Sequence, residues 1–381
     1  PAQGRDQRCA MNNFLFENKT RFLFGGGCVK EYLASFLTGY GPSVLLVREE
    51  GDSRSGAVDE VRDILRRSGK QVAECAVGPF CPRYEQVRQA ARLCRERRVD
   101  LMLGVGGSAG LDGCKAAALA AVCRGELWEN YGALQGVVDV PPLSVGFVAS
   151  HLEVGAVNGA AGLIYENQCV WRDYPPCDPC FALLDPACTQ ELSRRELIFQ
   201  GFSALAGGLE EYLPPADGMA VSRELLGALM RGMLHDLRTC RNDLRDEDAR
   251  SNLMWRCALW GSRFFQLGRR FSFPALPVRE AAILSASDWG EYAGALSVLL
   301  LACFRQAMEQ QPAALAQLAG CLWALPVQGR TEAQLAHDSV RALEALTKEL
   351  GLPTETKQLG GTVQKRLERV SSDPNLLVYT A

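Results

Sequence analysis

Glycines 104, 106 and 107, with Ser108 behind them, are the residues of this chain best spaced for chemistry. They end an apolar run over residues 101–105 and lead toward a helix-forming run over 115–122. Read physically, the order is strand, tight turn, helix. Glycine lets backbone approach a ligand closely, and a helix N-terminus offers unpaired N–H groups at the positive end of its dipole. The chemistry on offer is the cradling of phosphate, as in a dinucleotide-binding turn. A plain strand-to-helix connection in a doubly wound sheet has the same look, so the turn alone leaves both readings open. Cys177-Asp-Pro-Cys180 is a second chemical spacing. A structural zinc site needs two such pairs or nearby histidines, and the three histidines, His151, His235 and His337, lie far apart in sequence. Thiol packing is the favoured reading there.

The elements that must position these residues follow from the hydrophobic pattern. Strands are expected at 12–27, 43–47, 72–77, 101–105, 143–148 and 180–184. Helices are expected at 28–37, 57–67 and 84–97, the last with a solvated basic face. Strands alternating with helices mean an α/β unit with a mainly parallel sheet. From 193 to about 350 helical periodicity takes over, broken at Pro214-Pro215 and at 271–277. The expected organisation is an extension over 1–10, a Rossmann-like dinucleotide-binding domain over 11–186 and a helical domain over 187–381.

The 381 residues suit two domains, and 48% hydrophobic with 22% charged residues suits a packed globular protein. A net charge of −3 gives no sign of a nucleic-acid partner. The longest apolar run, 295–304, is too short for a membrane span. Residues 1–10 lack the apolar core of a secretion signal, and the 15 cysteines are scattered, many in apolar segments. Both features point to a reducing cytoplasm.

In this order the chain resembles the iron-containing (group III) alcohol dehydrogenases, nearest their butanol-dehydrogenase-like, NADPH-dependent branch, over about residues 11–345. The resemblance is carried by Met-Asn-Asn-Phe-Leu-Phe-Glu-Asn-Lys-Thr-Arg-Phe-Leu-Phe-Gly at 11–25, Gly-Val-Gly-Gly-Ser-Ala-Gly-Leu-Asp-Gly-Cys-Lys at 104–115, and Phe-Ala-Leu-Leu-Asp-Pro at 181–186. Leu-Glu-Glu-Tyr at 209–212 and Asn-Leu-Met-Trp at 252–255 add to it. It implies a Rossmann-like α/β domain plus an all-α domain in the dehydroquinate synthase-like fold. The implied active site is a cleft between them, transferring hydride between NAD(P) and a simple alcohol or aldehyde. It also implies a homodimer.

The resemblance further implies a divalent metal held by one Asp and three His. The aligned positions are Ser203, Gly207, Val278 and Tyr292, with no carboxylate or imidazole among them. No metal is therefore expected. On the cofactor side the implied residues are Glu49, Gly106, Gly107, Ser108, Asp112 and Ser144. The family's Thr-Gly-Ser-Glu turn reads Val148-Ala149-Ser150-His151, and its cofactor lysine falls near Glu166. An acid at 49 would meet ribose hydroxyls and repel a 2′-phosphate, which favours NAD over NADP.

Three functions stay open at this stage. The first is a degenerate member, a pseudoenzyme or a nucleotide- or metabolite-binding partner. The second is a metal-free oxidoreductase with Tyr292 or His151 as proton donor, aided by Arg279 or Arg256 if the fold brings either close. The third is a non-redox activity or binding role in the same cleft.

Overall fold

A computed structural model of the chain describes residues 13–50, 56–133, 139–155, 157–166, 168–213, 220–267 and 277–371. The expected extension over 1–10 and the last ten residues lie outside these.

Six short strands form one wholly parallel sheet. They are β1 (Arg21–Phe24), β2 (Ser43–Glu49), β3 (Gln71–Val77), β4 (Leu101–Gly106), β5 (Ser144–Ala149) and, after a hairpin, β8 (Phe181–Leu184). Their order across the sheet is β1-β8-β5-β4-β2-β3. Residues of β2 and β4 alternate between two cores. Leu45, Val47 and Met102 face helices α3 (Tyr84–Arg97) and α4 (Ser108–Ala120). Val44, Leu46, Leu101 and Leu103 face α1 (Cys28–Phe36) and α2 (Gly56–Arg67). Burial on both faces explains why these strands read as continuous apolar runs. From β2 the chain moves outward to β3, and from β4 it moves the other way to β5. The crevice at the carboxyl ends of β2 and β4 is therefore the topological switch point, where such sheets receive ligands. Glu49 and Gly106 end those two strands.

The strand expected over 12–27 is regular only at Arg21–Phe24. It is an edge strand paired solely with the four-residue β8, so the ladder has no partner to extend it. An antiparallel hairpin, β6 (Ala161–Tyr165) with β7 (Gln168–Arg172), was not expected. Glu166, near its turn, has a left-handed backbone, with φ of 46°.

The remaining described elements are helical: α5 (Arg194–Tyr212), α6 (Ala220–Asn242), α7 (Glu247–Trp260), α8 (Pro277–Ser285), α9 (Trp289–Gln310), α10 (Pro312–Cys321), α11 (Glu332–Glu349) and α12 (Gly361–Ser371). Helix α5 is buried from Leu197 to Tyr212 and lies against α6 and α9, which makes it the central rod of this half. Its start is fixed by a capping box: Ser193 Oγ accepts from the Glu196 N–H, and the Glu196 carboxylate accepts from the Ser193 N–H. Asp288 caps α9 by accepting from the Glu291 N–H. These caps set the heights at which Ser203 and Tyr292 meet. Among the described residues no helix is long and apolar enough to cross a membrane.

Candidate functional site

The glycine turn lies where the sequence placed it, between β4 and α4, and its donors are already engaged. Gly106 has φ of 144°, open to glycine and strained for other residues. The Glu49 side chain, only 3% exposed, turns into the crevice. Its Oε1 accepts from the Gly107 N–H at 2.7 Å and the Gly110 N–H at 3.0 Å. The Ser108 N–H donates to the Glu153 carbonyl at 3.1 Å. A Cβ at Gly107 would lie 2.6 Å from that same carbonyl oxygen. A carboxylate at a helix N-terminus is a favourable charge–dipole contact. Here the chain itself supplies the anion. Glu49, expected to meet ribose hydroxyls, has its Oε1 held by the turn.

The other expected cofactor residues face elsewhere. Asp112, one turn into α4, accepts from the Gly162 N–H at 2.9 Å and so ties α4 to β6. Burial raises its carboxyl to about 7, against the opposing pull of Lys115. Lys115 donates to the Gly159 carbonyl at 3.0 Å and lies 3.5 Å from Asp178, bracing the same hairpin. Ser144 requires a correction. It opens β5 opposite Leu101, at the amino end of the sheet and a whole strand away from Gly106 and Ala149. His151 is buried beside Gly107, with Nδ1 3.4 Å from Ser150 Oγ.

The four positions aligned with metal ligands lie around a different group. Ser203 is in mid-α5, Val278 and Tyr292 are in the first turns of α8 and α9, and all three are buried. Ser203 Oγ and the Tyr292 hydroxyl are 3.2 Å apart. The Arg279 guanidinium reaches into this space. Its Nε donates to the Tyr292 oxygen at 3.2 Å, and one Nη lies 3.4 Å from Ser203 Oγ. The same Nη donates to the Glu153 carboxylate at 2.6 Å. Arg279 is 6% exposed and Glu153 1%. The guanidinium also lies 5.0 Å from the Trp260 ring centre. That indole fills the space beside Gly207, where an added Cβ would overlap it. Phe80 stacks on the Tyr292 ring at 4.9 Å and closes the cluster from the sheet side.

These residues do not fit a divalent metal. They offer two hydroxyls, no imidazole, and a carboxylate already paired with a fixed cation. Among the described residues no group of three or more His, Cys, Asp or Glu side chains is arranged to hold a metal ion.

Electrostatics decide what the cluster can do. Burial pulls Arg279 toward deprotonation, but Tyr292 and Glu153 outweigh it and hold the guanidinium charged. Burial raises the Tyr292 phenol above its ordinary value, and Arg279 only partly offsets this. The cation needed to make Tyr292 a usable acid is present, yet desolvation wins. Arg256, the other candidate, pairs with Asp236 at 2.7 Å instead. A hollow of about 610 Å³ beside α5 and α9 is lined by Arg194, Arg195, Phe199 and Asp288, and none of Ser203, Arg279 or Tyr292 lines it.

Sequence reasoning missed Glu153 and Trp260. A signal existed for the first. Glu153 stands between Leu152 and Val154, and an acid in an apolar stretch must find a buried partner. It fills two posts at once: its carbonyl caps α4 and its carboxylate pairs with Arg279. The neighbouring Leu152 N–H donates to Gln200 on α5, which fixes the loop's height.

Comparison with known proteins agrees with the architecture. A family model described as iron-containing alcohol dehydrogenase matches residues 19–186. The probable NADH-dependent butanol dehydrogenase 1 of Bacillus subtilis (strain 168) is 26% identical over 348 residues, spanning 90% of this chain and 88% of its own. The NADPH-dependent aldehyde reductase of Escherichia coli (strain K12) is 26% identical over 364 residues, spanning 92% and 90%. The crystal structure of NADH-dependent butanol dehydrogenase A from Thermotoga maritima matches the fold with a TM-score of 0.80 at 20% identity, covering 95% of this chain and 92% of that one. With the α/β half matched by the family model and relatives aligned along nine-tenths of its length, the chain is similar to the iron-containing alcohol dehydrogenases and shares their fold.

Proposed function

We propose that this chain is a family member that has given up metal-dependent hydride transfer between a nicotinamide cofactor and an alcohol or aldehyde, and that it acts as a non-catalytic protein on the family's scaffold. The observation that carries this reading is the Arg279 guanidinium. It stands among the positions aligned with metal ligands, within 3.4 Å of Ser203 Oγ and 3.2 Å of the Tyr292 hydroxyl, and it is neutralised by Glu153. In the family a metal polarises the substrate oxygen. Here the cation is spent on an internal carboxylate, and Phe80, Trp260 and Tyr292 fill the space around it. Loss of a single positioned group at a developing oxyanion slows a reaction by roughly 10²–10³, and none of Ser203, Gly207, Val278 and Tyr292 offers a carboxylate or imidazole to hold such an ion. The buried free thiols, among them Cys94, Cys114 and Cys257, suit a cytoplasmic setting.

The test is an assay of the purified chain with NADH and NADPH against a panel of small alcohols and aldehydes, with and without Fe²⁺ or Zn²⁺, beside elemental analysis. The expected result is no turnover above background and far less than one iron or zinc per chain. A stoichiometric metal lost on Ser203→Ala or Tyr292→Phe, or turnover that depends on added metal, overturns the reading.

One observation favours a second reading, a metal-free reductase: Arg279 Nε donates to the Tyr292 oxygen, the geometry of a cation-assisted proton donor. Turnover by metal-stripped protein that is abolished by Tyr292→Phe decides for that reading. The burial of Tyr292, which holds its proton tightly, favours the first.

A further inference from the structure

We infer that Glu49 is an internal substitute for a ligand phosphate: its carboxylate keeps the glycine turn closed to nucleotides, and its removal opens a site for a nucleoside diphosphate. The inference does not rest on the chemistry of the Arg279 cluster, because it concerns the other end of the cleft and meets that cluster only through Glu153.

Three observations carry it. The first is donor accounting. Gly107, Ser108 and Gly110 carry three of the N–H donors of the turn and the first turn of α4, where a pyrophosphate would lie. Glu49 Oε1 takes Gly107 and Gly110, and the Glu153 carbonyl takes Ser108. Two anions cannot share one cradle. The second is volume. A Cβ at Gly106 would already meet the Glu49 Cγ, carboxyl carbon and Oε1 at 3.0–3.2 Å, and one at Gly107 would meet Oε1 at 3.3 Å. The close approach that glycine permits is used by this side chain. The third is position. Glu49 ends β2, Gly106 ends β4, and the fold's ligand crevice lies between those strand ends. A buried carboxylate could have been placed anywhere in the molecule; this one lies where the fold offers its anion hole.

The chemical class follows from the donors left behind. With the carboxylate gone, the turn presents two N–H groups to one oxygen at the positive end of a 13-residue helix. That suits the diphosphate of a nucleotide such as ADP-ribose, with or without a nicotinamide ring.

The experiment is calorimetric titration of the full chain with ADP-ribose and with NADH, for wild type, Glu49→Ala and Glu49→Gln. Wild type is expected to show no saturable binding. Glu49→Ala is expected to bind ADP-ribose at least ~10-fold more tightly than wild type, a gain of affinity. Glu49→Gln keeps the bulk and an amide acceptor, so it is expected to stay closed. Wild type binding as tightly as Glu49→Ala overturns the inference, as does a folded Glu49→Ala that binds neither ligand. Should Glu49→Ala not fold, amide exchange in wild type serves. Protection at Gly107 and Gly110 must then be unchanged by saturating NADH, and any change there overturns the inference.

Discussion

At the scale of the residue, the Arg279–Glu153 pair is the most exacting contact in the molecule. Both ions are buried; Arg279 Nε donates to Tyr292, and the Nη that meets Glu153 also lies near Ser203 Oγ. Breaking such a pair from one side leaves an uncompensated buried charge and costs about 3–5 kcal/mol. Arg279→Met should therefore lower stability by that order in urea unfolding. Glu153→Gln in the same chain should recover much of the loss, because no lone ion remains. A double variant as unstable as the sum of the singles would show the two groups to be uncoupled. The pair also marks how far reading by residue type could go. Arg279 was visible as a candidate cation because it adjoins an aligned position. Glu153 was not, since it lies 126 positions away and only the fold of the β5–β6 loop brings it there.

Helix α5 shows the same limit at the scale of the element. Its existence follows from helical periodicity and from Ser193 with Glu196, and the helices expected at 57–67 and 84–97 differ from those observed by at most a residue. Lengths, caps and apolar spacing are local properties, so the sequence exposes them. What α5 touches is not local. Gly207 looks like a lost ligand in sequence; in the structure it is the gap into which Trp260 of α7 fits. Gly207→Ala should help an isolated helix by roughly 1 kcal/mol through propensity. Inside this protein it should instead destabilise by about 1–3 kcal/mol, since the indole must shift. Thermal unfolding of the single variant checks the sign. Trp260→Ala in the same chain should relieve the clash while leaving a cavity of its own. The hairpin β6–β7 escaped reading for a related reason. Its residues are short apolar runs without strict alternation, and Asp112 on α4 helps hold it in place.

At the scale of the whole molecule, three buried carboxyl groups set an unusual response to pH. Burial raises Glu210 from 4.5 to about 8, Glu280 from 4.5 to about 7 and Asp112 from 3.8 to about 7. In each the folded state holds the proton more tightly than the unfolded chain does. Their contribution to stability is complete below the unfolded values and is lost as pH rises through 7 to 8, because the unfolded chain then binds fewer protons than the native one. The melting temperature should fall between about pH 5 and about pH 8.5, the reverse of a fold held by paired carboxylates. Glu210→Gln, which imitates the neutral acid, should flatten part of that slope. A flat or rising profile in the wild type would count against neutral carboxyls in the core.

Glu153 joins the two ends of the cleft through one residue: its carbonyl closes the glycine turn and its side chain neutralises Arg279. The consequence is historical. On the function proposed above, a lineage that placed one metal ligand at 203 or 292 would still face the Arg279 guanidinium beside it. Removing that guanidinium would strand the Glu153 charge and disturb the loop that caps α4. On the function proposed above, single substitutions toward a metal site therefore pass through less stable intermediates. A lock of this kind, with one residue holding both ends, acts as a ratchet against stepwise change at either.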